Sequence, residues 1–213
     1  MAKIIGILQL KGGVGRSTIA TNLAGELARA NNVVLLDCDM PQGTSASWSA
    51  IRNQIKPSPK LLTTTASSHQ ELIDKVHEVQ EADYIILDSP PRIAEMARAL
   101  LMLSDLIIIP VTASAAEIWS CADVMELVNE AREIREVNAY LLWTRYRSYT
   151  RLAQELHKEA KKALGLPVMK TEMGYRVAYA EALGRGLTVC ELRDTNARNE
   201  LVKLVVEVKR KLK

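Results

Sequence analysis

A glycine-rich segment, LKGGVGRST at 10–18, sets the strongest limit on how this 213-residue chain can fold. An apolar run precedes it at 4–9, and a helical pattern begins at Ser17. Glycines let backbone N–H groups turn inward around phosphate oxygens, and the next helix adds unpaired N–H groups and the positive end of its dipole. The order of strand, glycine loop, hydroxyl and helix therefore predicts a phosphate-binding loop rather than an ordinary strand–helix turn.

Apolar, β-branched runs alternate with amphipathic stretches through most of the chain. The predicted strands lie at 4–9, 33–37, 61–65, 84–88, 106–111 and 139–144. The predicted helices lie at 17–30, 68–80, 94–103, 115–135, 149–164, 177–185 and 197–212. Near-continuous apolar strands separated by helices predict an α/β fold, with a mostly parallel twisted sheet covered by helices on both faces. The pattern contains no linker or repeat, so we expect a single domain over 1–213.

Composition narrows the class of protein further. Hydrophobic residues make up 48% and charged residues 25% of the chain, which is typical of soluble globular proteins. The three cysteines are widely separated, which argues against a disulfide framework or a zinc site and fits a reducing cytoplasm. No apolar run approaches the roughly 20 residues that a membrane-spanning helix needs.

The loop departs twice from the standard pattern G-x-x-x-x-G-K-[ST], since Leu10 and Arg16 replace its first glycine and its lysine. It resembles instead the deviant Walker A motif, K-G-G-x-G-K-[ST], of the ParA/MinD family of P-loop ATPases. In that family the early lysine, here Lys11, reaches across a nucleotide-sandwich dimer to the partner's phosphates. The resemblance implies an ATP-dependent homodimer and a P-loop fold. It also implies that ATP and Mg²⁺ bind at Lys11, Gly12, Gly13, Val14, Gly15, Arg16, Ser17 and Thr18, with the Ser17 hydroxyl on the metal.

Arg16 is where the loop differs from the family pattern. A guanidinium keeps the positive charge and can bind two oxygens, but it is bulkier and more rigid than an ammonium group. Two outcomes are open: nucleotide binding with slow hydrolysis, or full activity with a shifted phosphate position. We favour the first, and expect a slow ATP hydrolase that a partner stimulates.

Two carboxylates follow the predicted strand at 33–37, in the segment DCDMPQG. Ligand sites gather at the carboxyl ends of strands in open α/β sheets. The segment resembles the D-x-D-P-Q-G segment of the family, which implies that Asp39 polarises the attacking water beside the catalytic Lys11 and Arg16. By the same match Asp37 supports either Mg²⁺ or the loop. The alternative for each aspartate is a helix cap or a turn.

A third carboxylate, Asp88, ends the apolar strand in DYIILDSPP, which has the Walker B pattern. A carboxylate at this place can hold Mg²⁺ through the water shell of the cation. The family likeness continues through the strand at 106–111 and the turn after it. Thr144 and Arg145 end the strand whose family counterpart borders the adenine. With no large insertion, the chain most resembles the small plasmid-type ParA partition proteins.

Basic residues are concentrated late in the chain, although the formal net charge is only +3. Over 143–176, eight basic residues accompany three acidic ones. In the family, ATP-bound dimers bind DNA without sequence preference, so the resemblance implies a nucleoid-associated cytoplasmic protein with a ParB-type adaptor. Such binding weakens steeply with salt, because each neutralised phosphate releases counterions. The candidate DNA contacts are Arg147, Arg151, Arg176, Arg198, Lys203 and Arg210.

Other functions remain open from the sequence. The basic amphipathic segment at 201–213 fits a MinD-like ATPase that cycles on membranes, although it lacks the bulky aromatics typical of a lipid interface, so we consider a membrane partner the weaker reading. A scaffold that binds nucleotide without hydrolysing it is a second alternative, because Arg16 would keep it switched on. A metabolic ligase shares the deviant loop, but the chain shows no acceptor-binding insertion.

Overall fold

The structure is a computed structural model that describes residues 1–55, 61–114, 121–147, 155 and 164–213. The strands are β1 (Lys3–Ile7), β2 (Val33–Asp37), β3 (Leu61–Thr65), β4 (Tyr84–Asp88), β5 (Leu106–Thr112), β6 (Ala139–Tyr146) and β7 (Val168–Gly174). The described helices are α1 (Arg16–Leu27), α2 (Thr44–Ile55), α3 (His69–Glu78), α4 (Ala94–Leu103), α5 (Ala122–Arg132), α6 (Val177–Gly184) and α7 (Thr195–Lys211). A 3-10 helix spans Val189–Glu191. Most of the helix predicted at 149–164 lies outside the described residues.

The strands form one seven-stranded sheet in the order β3-β2-β4-β1-β5-β6-β7. Every ladder between them is parallel, which confirms the predicted fold class. Ile7 pairs with Asp88, and Asp88 pairs with Asp37. The three adjacent strands β2, β4 and β1 therefore end at the same edge of the sheet, and the loops that follow them meet there.

Apolar side chains cover both faces of the sheet. On one face α3, α4 and α5 pack through residues such as Leu72, Leu100 and Val124. On the other face α1, α2, α6 and α7 pack through residues such as Leu23, Trp48 and Leu204. Both layers are needed because the strand residues between them are apolar in either direction. Within the described ranges, no helix is both long and apolar enough to cross a bilayer.

One α-helix and one strand were not predicted from the sequence. α2 (TSASWSAIRNQI) buries Ser45, Trp48, Ser49 and Arg52, so its inward face is largely polar and lacks the apolar period of a packed helix. β7 lies at the edge of the sheet and alternates buried and partly exposed residues around Lys170 and Glu172. Its short mixed pattern differs from the continuous apolar runs of the central strands, which is why it was missed.

A buried carboxylate fastens α7 to this edge strand. Glu207 is 5% exposed and accepts hydrogen bonds from the Lys170 and Thr171 backbone N–H groups, both at 2.9 Å, and from the Thr171 hydroxyl at 2.8 Å. Burial acts to raise the pKa of Glu207, but these hydrogen bonds outweigh it and leave the pKa below its ordinary value. The carboxylate therefore stabilises the fold in its charged form.

We expect Glu207→Ala to lower the free energy of unfolding by about 2–3 kcal/mol at neutral pH, because donors of β7 lose a buried acceptor. Since the folded pKa is depressed, this contribution is present above the ordinary pKa of a glutamate and is lost as the pH falls through the folded value. The loss should therefore shrink in acid. Urea unfolding at pH 7 and at pH 4 measures it, with the exposed Glu133→Ala as the control. An equal loss at both pH values would contradict the role of the charge.

Candidate nucleotide site

The glycine loop between β1 and α1 has the backbone geometry of an anion cradle. Gly13 and Gly15 have φ angles of +79° and +96°, in the left-handed region that side-chain-bearing residues rarely adopt. A Cβ atom added at Gly12, Gly13 or Gly15 would meet nothing within 4 Å, so the loop encloses open space. Gly15 precedes α1 without a side-chain cap, which leaves N–H groups of the first turn available to a ligand.

Arg16 lies inside this loop rather than extending into solvent. It is 6% exposed, and its Nη1 donates to the carbonyls of Gln9 at 2.7 Å and Lys11 at 2.5 Å. Its Nη2 lies 3.5 Å from Oδ2 of Asp39, and its Nε has no hydrogen-bond partner in the described structure. Burial lowers the pKa of Arg16, partly countered by the charges of Asp88 and Asp39. An anion in the cradle would add to the counter-charge that these two carboxylates provide.

Thr144 and Arg145, at the end of β6, contact the backbone of the loop. The Thr144 hydroxyl donates to the carbonyl of Val14 at 2.8 Å, and Nη1 of Arg145 donates to that of Gly13 at 3.0 Å. These contacts engage the Val14 and Gly13 carbonyls and hold the loop against the end of β6. The expected role of the pair beside adenine remains a prediction, and the contacts seen here are with the phosphate loop.

Asp37 is fully buried, and both of its carboxylate oxygens accept backbone hydrogen bonds. Oδ1 accepts from the N–H of Asp39 at 3.0 Å, and Oδ2 accepts from that of Ala46 at 2.9 Å. Burial raises the pKa of Asp37, and these hydrogen bonds act against the rise. Both contacts lie in the segment that runs from Asp39 into α2, so they match the turn or helix-cap alternative for Asp37. A place on the metal or a role in the phosphate loop stays a prediction.

Asp88 lies at the end of β4 in a different environment. It is 0% exposed, and its Oδ2 accepts from the Ser45 hydroxyl at 2.7 Å. The Ser17 hydroxyl acts to lower the pKa of this carboxylate, yet Oδ1 has no hydrogen-bond partner among the described residues. Burial, with a contribution from the charge of Asp37, raises the pKa of Asp88 to about 7. A buried carboxylate oxygen without a donor is costly unless a cation accompanies it.

Ser17 and Asp88 therefore fit Mg²⁺. Across the described ranges, no group of three or more His, Cys, Asp or Glu side chains could hold a metal ion. A cation beside Asp88 would depend on oxygens from phosphate groups and water, which is how Mg²⁺ is bound with nucleotides. Metal and phosphate would thus bind as one unit.

The cradle opens into a cleft of about 570 Å³. Its far wall runs from the end of β7 into α6. The sequence predicted α6, as the helix at 177–185, but neither β7 nor the place of this segment in a cleft. Exposed Tyr175 lies in this wall, with the guanidinium groups of Arg145 and Arg147 at 5.4 and 4.8 Å from its ring centroid. The sequence signals for this wall were the predicted helix at 177–185 and the weak alternation before Gly174. The residues of the far wall are Met173, Gly174, Tyr175, Arg176, Val177, Tyr179, Ala180 and Leu183.

A second cavity of about 450 Å³ lies beside the end of α1. Its charged side chains are already paired, with Arg52 on Glu191 at 2.8 Å and Arg29 on Glu26 at 2.8 Å. It lacks a glycine cradle, so the cleft beside the loop is the better candidate for nucleotide.

The predicted DNA contacts fall in three different environments. Arg198, Lys203 and Arg210 lie exposed on α7. Arg176 forms an ion pair with Glu200 at 2.7 Å and lines the cleft. Arg147 is exposed beside Tyr175, and Arg151 lies outside the described residues. DNA binding by any of them stays a prediction.

Comparison with known proteins adds to this geometry. The sequence profile of the CobQ/CobB/MinD/ParA nucleotide binding domain matches residues 5–189. The chain is 27% identical over 209 residues to maintenance of carboxysome distribution protein A of Halothiobacillus neapolitanus, covering 96% of this chain and 95% of that protein. It is 26% identical over 226 residues to the chromosome-partitioning ATPase Soj of Thermus thermophilus, covering 90% of this chain and 89% of that protein. The structure of an ATP complex of a McdA variant from Cyanothece superposes with a TM-score of 0.81 at 17% identity. The superposition covers 98% of this chain and 96% of that chain, so the two share a fold.

Proposed function

Because the chain belongs to the family of CobQ/CobB/MinD/ParA nucleotide-binding domains, which are P-loop ATPases, we propose that it is a ParA-type positioning ATPase. It dimerises when it binds ATP and Mg²⁺, and the dimer binds DNA and moves or distributes a cargo. The open cradle at Gly12, Gly13 and Gly15, next to the uncapped start of α1, is the observation that carries the proposal. Hydrolysis in such a cycle serves timing rather than metabolism.

In this proposal the parts of the site have separate tasks. The loop N–H groups bind the phosphates, and Ser17 and Asp88 hold Mg²⁺, which neutralises phosphate charge when bound. Lys11 of each copy completes the site of the other copy. Asp39, whose backbone N–H is anchored on Asp37, orients the attacking water. The water and the γ-phosphate must be in line, so the fixed backbone at Asp39 supports this role.

DNA and an adaptor are the proposed macromolecular partners. The exposed basic residues on α7 would form a surface that dimerisation doubles, so the ATP-bound dimer would bind DNA more tightly than the monomer does. The two relatives named above maintain carboxysome distribution and partition chromosomes. The cargo here is accordingly a plasmid, a chromosome or a large protein body, linked through a ParB-type adaptor that stimulates hydrolysis.

Size-exclusion chromatography with ADP, ATP and a slowly hydrolysed ATP analogue, each with Mg²⁺, tests the proposal. We expect a dimer only with a triphosphate. Lys11→Ala should remain monomeric, and the exposed Lys3→Ala serves as the matched control. A chain that binds no adenine nucleotide in calorimetry, or that stays monomeric with the analogue, would refute the proposal.

We expect Arg16→Lys to hydrolyse ATP about tenfold faster, which corresponds to about 1.4 kcal/mol of barrier. The guanidinium is held by two carbonyls and lies close to Asp39, whereas an ammonium group makes fewer fixed contacts and is free to follow the phosphates. Phosphate release at saturating ATP, with and without DNA, measures the effect. The control is the exposed Arg29→Lys at the other end of α1. An Arg16→Lys chain that turns over no faster would contradict the inference that Arg16 slows hydrolysis.

A membrane-cycling ATPase is a second candidate, because Val202 and Val206 are 46% and 63% exposed beside the basic residues of α7. Deleting residues 209–213 and measuring co-sedimentation with anionic liposomes and with DNA separates the two functions. We expect the deletion to weaken DNA binding. Loss of liposome binding with DNA binding intact would favour the membrane cycle.

A further inference from the structure

The carboxylate of Glu200, on α7, gathers hydrogen bonds from the segment that joins β7 to α6. Its Oε1 accepts from Nε and Nη2 of Arg176 at 2.9 and 2.7 Å. Its Oε2 accepts from the Tyr179 hydroxyl at 2.8 Å and from the backbone N–H of Gly174 at 3.1 Å. Both oxygens therefore accept two donors each, in a side chain that is only 16% exposed.

All of these donors belong to the wall of the cleft, whereas Glu200 itself does not line it. The packing is close: a Cβ atom at Gly174 would lie 3.0 Å from Oε1 of Glu200 and 3.2 Å from Nε of Arg176. Contacts of 3.0–3.4 Å are tighter than those that most real Cβ atoms make, so glycine allows the ion pair to lie against the backbone. The segment is thus held from behind by one carboxylate.

The position of this wall indicates which part of a nucleotide it would contact. Residues of the glycine loop and the start of α1 line one part of the cleft, and residues of β7 and α6 line another. Phosphates bind at the loop, so the nucleoside must lie toward the far wall. Met173, Val177 and Leu183 there offer apolar surface suited to a base, and the backbone at 174–176 offers polar groups.

We propose that Glu200 is a positioning residue that holds the nucleoside-binding wall of the cleft. The proposal rests on the proposed function, because it takes ATP as the occupant of the cleft. Glu200 keeps the Arg176 guanidinium on the α7 side and fixes the backbone at Gly174. Without it, Arg176 loses its charged partner and the wall loses its anchor, so base and ribose contacts weaken while the phosphate loop is untouched.

The test compares the affinities of the full chain for ATP and for inorganic tripolyphosphate, both with Mg²⁺, by competition with a fluorescent ATP analogue. Tripolyphosphate occupies only the phosphate end of the cleft. The variants are Glu200→Ala and Glu200→Gln, since the amide keeps part of the hydrogen bonding without the charge. The control is Glu207→Gln, which alters a carboxylate of the same helix whose partners lie outside the cleft. Circular dichroism establishes that each variant is folded at the assay temperature.

We expect Glu200→Ala to weaken ATP binding about tenfold, Glu200→Gln to weaken it less, and Glu207→Gln to leave it within about twofold. Tripolyphosphate affinity should change by less than about twofold in all three variants. Parallel losses of ATP and tripolyphosphate affinity, or equal effects of Glu200→Gln and Glu207→Gln, would overturn the inference. If Glu200→Ala does not fold, the Glu200→Gln comparison decides. A wild-type chain without ATP affinity would instead refute the proposed function.

Discussion

Asp88→Asn should stabilise the nucleotide-free protein above pH 7 and at the same time lower ATP turnover by about 100-fold. The folded carboxylate is fully buried, and its pKa is raised from its ordinary value near 3.8 to about 7, chiefly by burial. The folded protein therefore holds this proton more tightly than the unfolded chain does. The protonated Asp88 carboxyl group therefore contributes its full stabilisation below the ordinary pKa, and this contribution is lost as the pH rises through about 7.

Asparagine has nearly the same shape and no charge, so it removes the cost of burying a carboxylate whose Oδ1 lacks a donor in the described residues. We expect the variant to gain about 1–2 kcal/mol at pH 8 and little at pH 5. Turnover falls because a neutral amide is a poor partner for Mg²⁺. Urea unfolding at the two pH values and phosphate release measure the two effects.

The exposed Asp74→Asn is the matched control for this change, since it alters charge on the surface of α3. We expect the free energy of unfolding and the ATP turnover of Asp74→Asn to stay close to the wild-type values. A loss of stability at pH 8 in Asp88→Asn would show that the carboxylate is better satisfied than its contacts indicate. Unchanged turnover would exclude Asp88 from the metal site.

Asp39→Ala should lower the ATP turnover number by about 100–1,000-fold while ATP binding is retained. The Asp39 side chain lies 3.5 Å from Arg16, is 15% exposed and lines the cleft. Loss of the group that orients water affects the transition state, whereas the loop N–H groups still bind the phosphates. The ATP-bound dimer should therefore accumulate and remain on DNA.

Single-turnover hydrolysis, ATP affinity and size-exclusion chromatography of the same preparation check this result. Asp39→Asn separates charge from shape, and it should be nearly as slow because an amide cannot accept a proton from water as a carboxylate can. A variant that hydrolyses ATP at the wild-type rate would remove Asp39 from the catalytic assignment. One that no longer binds ATP would show that Asp39 supports the loop through Arg16 instead.

Local pattern was sufficient for the centre of this fold. Strands β2 and β4 have the predicted bounds, because continuous β-branched runs are typical of strands buried on both faces. The glycine loop was also readable, since positive φ at Gly13 and Gly15 requires glycine at those positions. α2 and β7 lack a clear apolar period, so they could be found only where neighbouring elements pack on them.

The amino-acid sequence by itself determined the phosphate loop, the parallel α/β architecture and the order of the carboxylates Asp37, Asp39 and Asp88 along the chain. Only the tertiary structure decided which groups meet: Arg16 with the carbonyls of Gln9 and Lys11, Thr144 with Val14, and Glu200 with the far wall of the cleft. The first set depends on residues that are neighbours in sequence, where backbone preference and periodicity act directly. The second depends on side-chain contacts, several between residues far apart in the chain, which form only when the strands align.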